Sequence, residues 1–383
     1  MSTHTDWDPK APEVLADPIH AYDAMRRRCP VAHSEAMQHS VFRHADVMRI
    51  LLDPETFSNQ GPGRASVPHG MDPPEHTAYR RVIDPYFSPA RMAAFQPECE
   101  RLCAELAAGL PRDGEIEIMF GLAHPFALSM QCAFLGWPAE LHQPLLDWIH
   151  KKNLAIQSGD GDAIAAVGTE FDGTIRGLLE ARRAAGSGAP DDATTRLMRE
   201  TIDGRPLAEE AIVSILRNWT VGELGTIASS VGIIACYLAG HPQIQDRLRA
   251  NPGLVRAAND EILRMHAPLI ANRRTLTRPA NVGGRELPAG ERVTLMWASA
   301  NRDEAVFGDP DEFRLDRDPS LNLLYGAGIH ACPGAPLSRL ELEVIVRALL
   351  AATRAIEPVP DAPPVPAAYP AGGYREARLR ILR

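Results

Sequence analysis

Hydrophobic residues along most of this chain recur with the spacing of amphipathic helices rather than with the alternation of strands. Helical patterning covers residues 76–182, with interruptions at proline and glycine, and a long apolar helix is predicted over 208–238. That helix should end at Gly240, because Gly-His-Pro follows and both glycine and proline stop helices. Shorter helices are predicted over 20–28 and 46–52.

Strand-like patterns are confined to short stretches. Residues 31–42 and 269–300 alternate and contain turn residues, and the Pro/Ala-rich tail has weak strand character. A Gly/Pro-rich loop is predicted over 58–75. The predicted fold is therefore mainly α with a small β portion, as a single domain over 16–383 after a loose N-terminal leader over 1–15.

Composition narrows the class of protein. The chain has 383 residues, of which 45% are hydrophobic and 23% charged, with a net charge of −9. There is no basic stripe interleaved with aromatics, which argues against nucleic-acid binding. No run approaches the about 18 apolar residues of a membrane span, and the N-terminus has no secretory pattern. The six cysteines form no CxxC pair and suit a reducing compartment. We expect a soluble, cytoplasmic protein without nucleic-acid or membrane partners.

One cysteine lies in a segment suited to binding a cofactor. Cys332 belongs to the run Tyr-Gly-Ala-Gly-Ile-His-Ala-Cys-Pro-Gly, residues 325–334, and a helix-patterned segment follows. Glycines let the backbone approach a large flat ligand, and a helix N-terminus favours a thiolate over a thiol. Such a thiolate is a candidate axial ligand to haem iron. The alternative is a small, buried cysteine with no ligand role.

The run resembles the haem-binding loop of the cytochrome P-450 family, Phe/Tyr-Gly-x-Gly-x-His-x-Cys-x-Gly. Every fixed position is met, by Tyr325, Gly326, Gly328, His330, Cys332 and Gly334. The resemblance extends over nearly the whole chain. It implies the cytochrome P-450 fold, a triangular helical domain that encloses haem b, with Cys332 as the ligand to iron.

Further residues match the family's contacts to the haem propionates. His76 and Arg80 are four residues apart and so lie on one side of their helix. Arg274 matches a third contact, with Arg273 as the less favoured choice, and His330 is a fourth. Two buried propionates need cationic or hydrogen-bond-donating partners. The alternative for each residue alone is an ordinary surface charge.

A second resemblance concerns the frame behind the cofactor. Glu261 and Arg264 stand at helical spacing i, i+3, and Arg317 stands at the place of the family's downstream arginine. The planar guanidinium suits a buried carboxylate network. The resemblance implies that these three residues are structural and take no part in the chemistry.

The long helix departs from the family pattern, which usually reads Ala/Gly-Gly-x-Asp/Glu-Thr-Thr and delivers protons on the distal side of the haem. This chain reads Val-Gly-Glu-Leu-Gly-Thr-Ile over 221–227. Thr226 matches the threonine, but Gly225, or Leu224 in a shifted register, occupies the position of the acid. Glu223 precedes Thr226 by three residues, about 60° round an α-helix. Thr226 and Glu223 are therefore the catalytic candidates. The alternative places Glu223 in a polar water pocket with no catalytic role.

The resemblance implies a monooxygenase that inserts one oxygen atom from O2 into a small to medium hydrophobic substrate, by hydroxylation or O/N-dealkylation. The pocket walls are expected from the 58–75 loop, from 221–226 and from the apolar Leu269, Ile270 and Ala271. Because the chain has no flavin or iron–sulfur motif, electrons should come from a ferredoxin or flavodoxin and its NAD(P)H-dependent reductase. Basic residues on the Cys332 side are the expected docking face.

The unusual distal motif leaves two alternatives open. One is an H2O2-using peroxygenase in which Glu223 is the acid–base. The other is a haem-binding protein that senses or carries a ligand, or isomerises a substrate without oxygen insertion.

Overall fold

A computed structural model describes residues 5–61 and 66–383 of the chain. It is mostly helical, at 58%, with small sheets, so the predicted fold class is confirmed. Residues 1–4 of the predicted leader and residues 62–65 of the predicted Gly/Pro-rich loop lie outside the described residues.

The helices begin and end close to the positions that the hydrophobic pattern predicts. In the described part of the chain the α-helices are α1 (Pro12–Ala16), α2 (Pro18–Arg28), α3 (His44–Leu51), α4 (Glu75–Ile83), α5 (Pro89–Ala108), α6 (His124–Leu135), α7 (His142–Ser158), α8 (Gly161–Ala185), α9 (Ala193–Leu197), α10 (Glu209–Gly222), α11 (Ala228–Ala239), α12 (Pro242–Ala250), α13 (Val255–His266), α14 (Trp297–Ala300), α15 (Glu304–Phe307) and α16 (Ala335–Ala352).

Strands are short throughout. Within the described residues they are β1 (Val31–Ser34), β2 (Gln38–Val41), β3 (Phe57–Ser58), β4 (Gly114–Glu117), β5 (Thr201–Ile202), β6 (Arg205–Pro206), β7 (Ala271–Leu276), β8 (Ala280–Val282), β9 (Arg285–Leu287), β10 (Arg292–Met296), β11 (Ala355–Pro358), β12 (Val365–Pro366), β13 (Tyr374–Glu376) and β14 (Arg378–Leu382).

The chain divides into two compact units. The first unit comprises Met1–Arg64, His69–His76 and Ala257–Cys332, and the second comprises Ala65–Pro68, Thr77–Arg256 and Pro333–Arg383. Each unit is described separately below.

The first unit is built on a five-stranded sheet in the order β1-β2-β10-β7-β3. Strand β10 runs parallel to β2 and antiparallel to β7, with Val293 opposite Arg274. The apolar side chains of the strands pack with those of α3 in one buried cluster that includes Val47, Ile50 and Leu295. This packing fixes the strand that carries Arg274.

Part of the segment predicted as a leader packs into the first unit. The Trp7 ring contacts Tyr22 and Phe42 edge-on, with centroids 6.3 and 5.3 Å away. Trp7 is buried, and α1 follows it at Pro12–Ala16. These contacts bury aromatic surface that would otherwise face water.

The second unit contains the long apolar helix, which runs from α10 through a π-helical turn at Glu223–Ile227 into α11. Among the described residues, only Glu209–Ala239 is long and apolar enough to cross a membrane by length and composition, which the sequence-based expectation did not anticipate. However, 67% of its most apolar window is buried inside the protein. A core helix has this property, because its apolar residues pack on protein on all sides.

Two other features of the second unit matter for the site. Helix α16 packs along α5, and a three-stranded sheet forms in the order β11-β14-β4. None of the six cysteines forms a disulfide in the described part of the chain.

Candidate active site

The loop that carries Cys332 is closed by its own backbone. The Cys332 N–H donates to the Tyr325 carbonyl at 2.8 Å. Gly326 and Gly328 adopt φ values of +71° and +68°, which L-residues with side chains rarely take. A Cβ on Gly328 would lie 2.4 Å from the Leu51 carbonyl oxygen at the end of α3. Backbone conformation thus requires glycine at 326 and 328, and the close approach of α3 adds a second requirement at 328.

Two residues that are predicted to contact the haem propionates, His76 and His330, lie against each other beside this loop. The rings of His76 and His330 have centroids 4.2 Å apart and planes inclined by 57°. The backbone N–H of His76 donates to the Asp72 carbonyl at 3.0 Å, which fixes the first turn of α4. The Asp72 carboxylate in turn accepts from the Ser58 hydroxyl and from the Asn59 N–H. The structure therefore brings together two histidines that are far apart in sequence.

Arg274 is buried on β7, with 7% of its surface exposed. Burial lowers the pKa of its guanidinium to about 10, and the charge of Asp72 partly opposes that change. Its Nη1 donates to the Arg273 carbonyl at 2.8 Å. Arg273 itself is exposed, so the structure favours Arg274 over Arg273 as an inward-facing cation.

Other buried arginines in the first unit differ from Arg274. Arg26, Arg264 and Arg302 each contact at least one carboxylate within 3 Å. No carboxylate among the described residues forms an ion pair with Arg274. A buried guanidinium without an anionic partner is costly. It fits a bound anion such as a haem propionate, which would supply the missing charge.

Arg80 belongs to the second unit, on α4. Its Nε donates to the Asp84 carboxylate at 2.6 Å, and its side chain is mostly buried. This i, i+4 pair orients the guanidinium along the helix.

Glu261 is the centre of a buried ion-pair network in the first unit. It accepts two hydrogen bonds from Arg264, at 2.8 and 3.0 Å, and one from Arg317 at 2.9 Å. Arg264 also donates to the carbonyls of Asn301 and Pro310. Every strong donor of this network has a partner, as a buried network requires. The predicted ion-pair network of the three residues is present, and that they take no part in the chemistry stays a prediction.

In the second unit, the π-helical turn begins at Glu223 and contains Thr226. The Thr226 hydroxyl donates to the Gly222 carbonyl at 2.9 Å. A π turn is wider than an α turn, so the 60° separation expected between Glu223 and Thr226 does not hold. The sequence analysis did not predict this turn.

Glu223 is buried against another acid that the sequence analysis missed. Glu341 on α16 is 0% exposed and Glu223 is 7% exposed. Burial raises the pKa of Glu223, and burial followed by the charge of Glu223 raises the pKa of Glu341. A signal for Glu341 existed: it lies four residues after Leu337 and four before Ile345, on the apolar face of its helix.

Known proteins are similar to this chain in sequence and in fold. The sequence model of the family described as "Cytochrome P450" matches residues 139–361. The chain is 30% identical over 344 residues to cyclomarin C epoxidase CymV of Salinispora arenicola (strain CNS-205), covering 85% of this chain and 86% of that protein. It is 31% identical over 353 residues to vitamin D(3) 25-hydroxylase of Pseudonocardia autotrophica, covering 88% and 86%.

The fold agrees with a solved structure. A mutant of P450 EryK in complex with erythromycin B has a TM-score of 0.87 and 27% identity, and the match covers 96% of each chain. With the Cys332 loop, the buried Arg274 and the paired histidines in place, this chain belongs to the cytochrome P450 family and is a monooxygenase of that family.

Proposed function

We propose that the protein is a haem-thiolate monooxygenase that inserts one oxygen atom from O2 into a small to medium hydrophobic substrate, by hydroxylation or O/N-dealkylation. The observation that carries this proposal is the environment of Arg274. It is a buried cation with no carboxylate partner in the described residues, in the unit that also holds the His76–His330 pair and Cys332. We propose that residues 16–383 act as a single monooxygenase domain, preceded by a leader over 1–15.

The cofactor is proposed to be haem b. Cys332 would supply the thiolate ligand to iron, and Arg274, His76, His330 and Arg80 would donate to its propionates. Haem held by a thiolate activates dioxygen, because the thiolate donates electron density that favours O–O cleavage. The protein contributes the charge balance and the orientation of that group.

Proton delivery is proposed for Thr226, with Glu223 in support. The Thr226 hydroxyl hydrogen is directed to the Gly222 carbonyl, so the hydroxyl oxygen is oriented to accept a hydrogen bond. Such a hydroxyl can accept a hydrogen bond from a neighbouring donor. It can then pass a proton on through its own O–H. Glu223 has no hydrogen bond to its Oε1 from the described residues, so its role depends on the neighbouring acid.

A hydrophobic substrate is proposed from the apolar residues expected at the pocket. Val221 is 39% exposed although it lies in an otherwise largely buried helix. Ile270 and Ala271 are apolar at the start of β7. Relatives include linalool 8-monooxygenase of Pseudomonas putida and erythromycin C-12 hydroxylase of Saccharopolyspora erythraea, whose names give linalool and erythromycin as the molecules they oxidise.

Electrons are proposed to come from a ferredoxin or flavodoxin and its NAD(P)H-dependent reductase, in the cytoplasm. The sequence has no paired cysteines of the kind that hold an iron–sulfur cluster and no flavin-binding motif. The basic residues on the Cys332 side are the proposed docking face.

The test begins with a screen of hydrophobic compounds for shifts of the haem Soret band. Hits are then turned over with ferredoxin, reductase and isotopically labelled O2. We expect label in the product and a fixed ratio of NADH to product. Turnover with H2O2, but none with O2, NADH and the redox partners, would support the peroxygenase. Product formation without oxygen consumption would support the isomerase. Either result would overturn the proposed function.

A further inference from the structure

Two carboxyl groups are buried together in the second unit without a cation. Glu223 opens the π-helical turn, and Glu341 lies on α16. The two carboxyl groups lie within hydrogen-bonding reach of each other, and both side chains are buried. Neither forms an ion pair with a described Lys, Arg or His. Buried acids of this kind cannot both ionise, because like charges at short range repel strongly in a low dielectric.

Their oxygens also lack donors. Glu341 Oε1 and Oε2 and Glu223 Oε1 accept no hydrogen bond from the described residues. A buried acceptor left without a donor costs about 1 to 3 kcal/mol. A proton on one carboxyl can donate to the other and remove part of that cost. No other donor is found at this pair in the described part of the chain.

Among the described residues, no cation acts on the pKa of either acid. From α5, the Cys99 thiol faces the pair and acts on the pKa of Glu341. Its neighbour Cys103, then burial, raises the pKa of Cys99, so Cys99 stays a neutral thiol. Glu100 adds a weaker negative influence on Cys99. Every titratable group at this site therefore favours retention of a proton.

We propose that Glu223 and Glu341 share one proton, and that this shared proton fastens the π-helical turn to α16 and so positions Thr226. Glu341 is a positioning residue, since it acts through Glu223. The inference rests on the proposed role of Thr226 in proton delivery.

The connection to Thr226 runs through the backbone. Glu223 is the first residue of the turn, and the carbonyl before it, that of Gly222, accepts the Thr226 hydroxyl. A shift of Glu223 therefore moves the acceptor that orients the hydroxyl. Displacements near 1 Å in such a group can reduce a rate by up to about 100-fold.

The shared proton is tested by infrared spectroscopy of the haem-loaded protein at neutral pH. The wild type should show the carbonyl stretch of a protonated, buried carboxyl. Glu223→Gln and Glu341→Gln should each remove it, because an amide N–H donor replaces the shared proton. Glu343→Gln is the matched control, since Glu343 lies on the same helix and pairs with Arg347 at 2.7 Å. Absence of the band in the wild type, or its persistence in both Gln variants, would refute the shared proton.

Positioning is tested by the ratio of product to NADH consumed across pH. In the wild type this ratio should fall as the shared proton is lost at high pH. Glu341→Gln should keep a high ratio with little pH dependence, whereas Glu341→Ala should lower product formation at every pH by up to about 100-fold. A wild-type pH profile in Glu341→Ala would overturn the positioning role.

Thr226→Ala separates this inference from the proposed function. If Thr226→Ala stays fully coupled, the role of Thr226 fails, while the infrared result still decides whether the proton is shared. If Thr226→Ala uncouples the reaction and Glu341→Ala does not, the role of Thr226 stands and the positioning role of Glu341 is wrong.

Discussion

The rings of His76 and His330 are in contact, with centroids 4.2 Å apart and planes inclined by 57°, although the two residues are 254 positions apart in sequence (330 − 76). One ring comes from the first turn of α4 and the other from the segment just before Cys332. The contact makes the cysteine loop and the start of α4 a single structural element of the first unit.

A substitution at His330 can separate the contribution of aromatic packing from that of hydrogen bonding. We expect His330→Phe to keep the aromatic packing and the stability, and to lose the ring N–H donor. A hydrogen bond to a charged group contributes about 1.5 to 3 kcal/mol, so haem dissociation should accelerate roughly 10-fold or more. The measurement is haem transfer to an excess of apomyoglobin. Unchanged dissociation in His330→Phe would show that His330 contributes packing alone.

Arg274 and Arg273 offer a matched pair of adjacent arginines, one buried and one exposed. Arg274→Gln should increase the haem dissociation rate about 10-fold to 100-fold, because a charge-assisted contact to a propionate is lost. Arg273→Gln should leave it unchanged. The reverse ranking would make Arg273 the propionate ligand.

Cys332→Ser should abolish the long-wavelength Soret band that the ferrous–CO complex of a haem-thiolate protein shows, because serine supplies no thiolate. Cys29→Ser is the control, because Cys29 is another cysteine of the first unit and is partly accessible. The absorption spectrum under CO is the measurement. Retention of the band in Cys332→Ser would exclude Cys332 as the ligand.

The Glu261 network predicts a loss of stability on mutation of Arg264. Arg264→Met leaves Glu261 with Arg317 as its remaining side-chain cation, and breaking a buried pair costs about 3 to 5 kcal/mol. Arg314→Met is the control, because the Arg314 side chain is exposed and forms its ion pairs with surface acids, and the substitution keeps the backbone N–H that donates to Glu261. Denaturant unfolding gives both values. A loss below about 1 kcal/mol in Arg264→Met would mean that the network contributes little to stability.

The acid pair predicts how stability changes with pH. Both pKa values are raised by folding, so above the unfolded value of about 4.3 the native protein holds more protons than the unfolded chain. The pair therefore stabilises the fold fully below that pH, and this contribution is lost as pH rises through the folded pKa.

Glu341→Gln should flatten this decline by up to about 1.4 kcal/mol per pH unit, the value for one proton. Unfolding free energies from pH 5 upwards are the measurement, with Glu343→Gln as control. If wild type and Glu341→Gln have parallel pH profiles, the acid pair does not bind its proton more tightly in the folded state.

Much of the first unit's site could be predicted from sequence because its signals are local. Gly326, Gly328, His330 and Cys332 lie within one short run of the sequence. The second unit's site could not be predicted in the same way. The π-helical turn has no sequence signature, and the neighbour of Glu223 comes from α16, far along the chain. A local pattern can report that Glu341 is buried, but only the packed helices show what it is buried against.

The close approach of Gly328 to the Leu51 carbonyl has a consequence for engineering. A side chain at 328 would have to displace the backbone at the end of α3, so random libraries at this position should return glycine alone. A cysteine loop transplanted from a relative would fit only if the end of α3 came with it. In a chimera the two segments would have to be exchanged together, although they are far apart in the sequence.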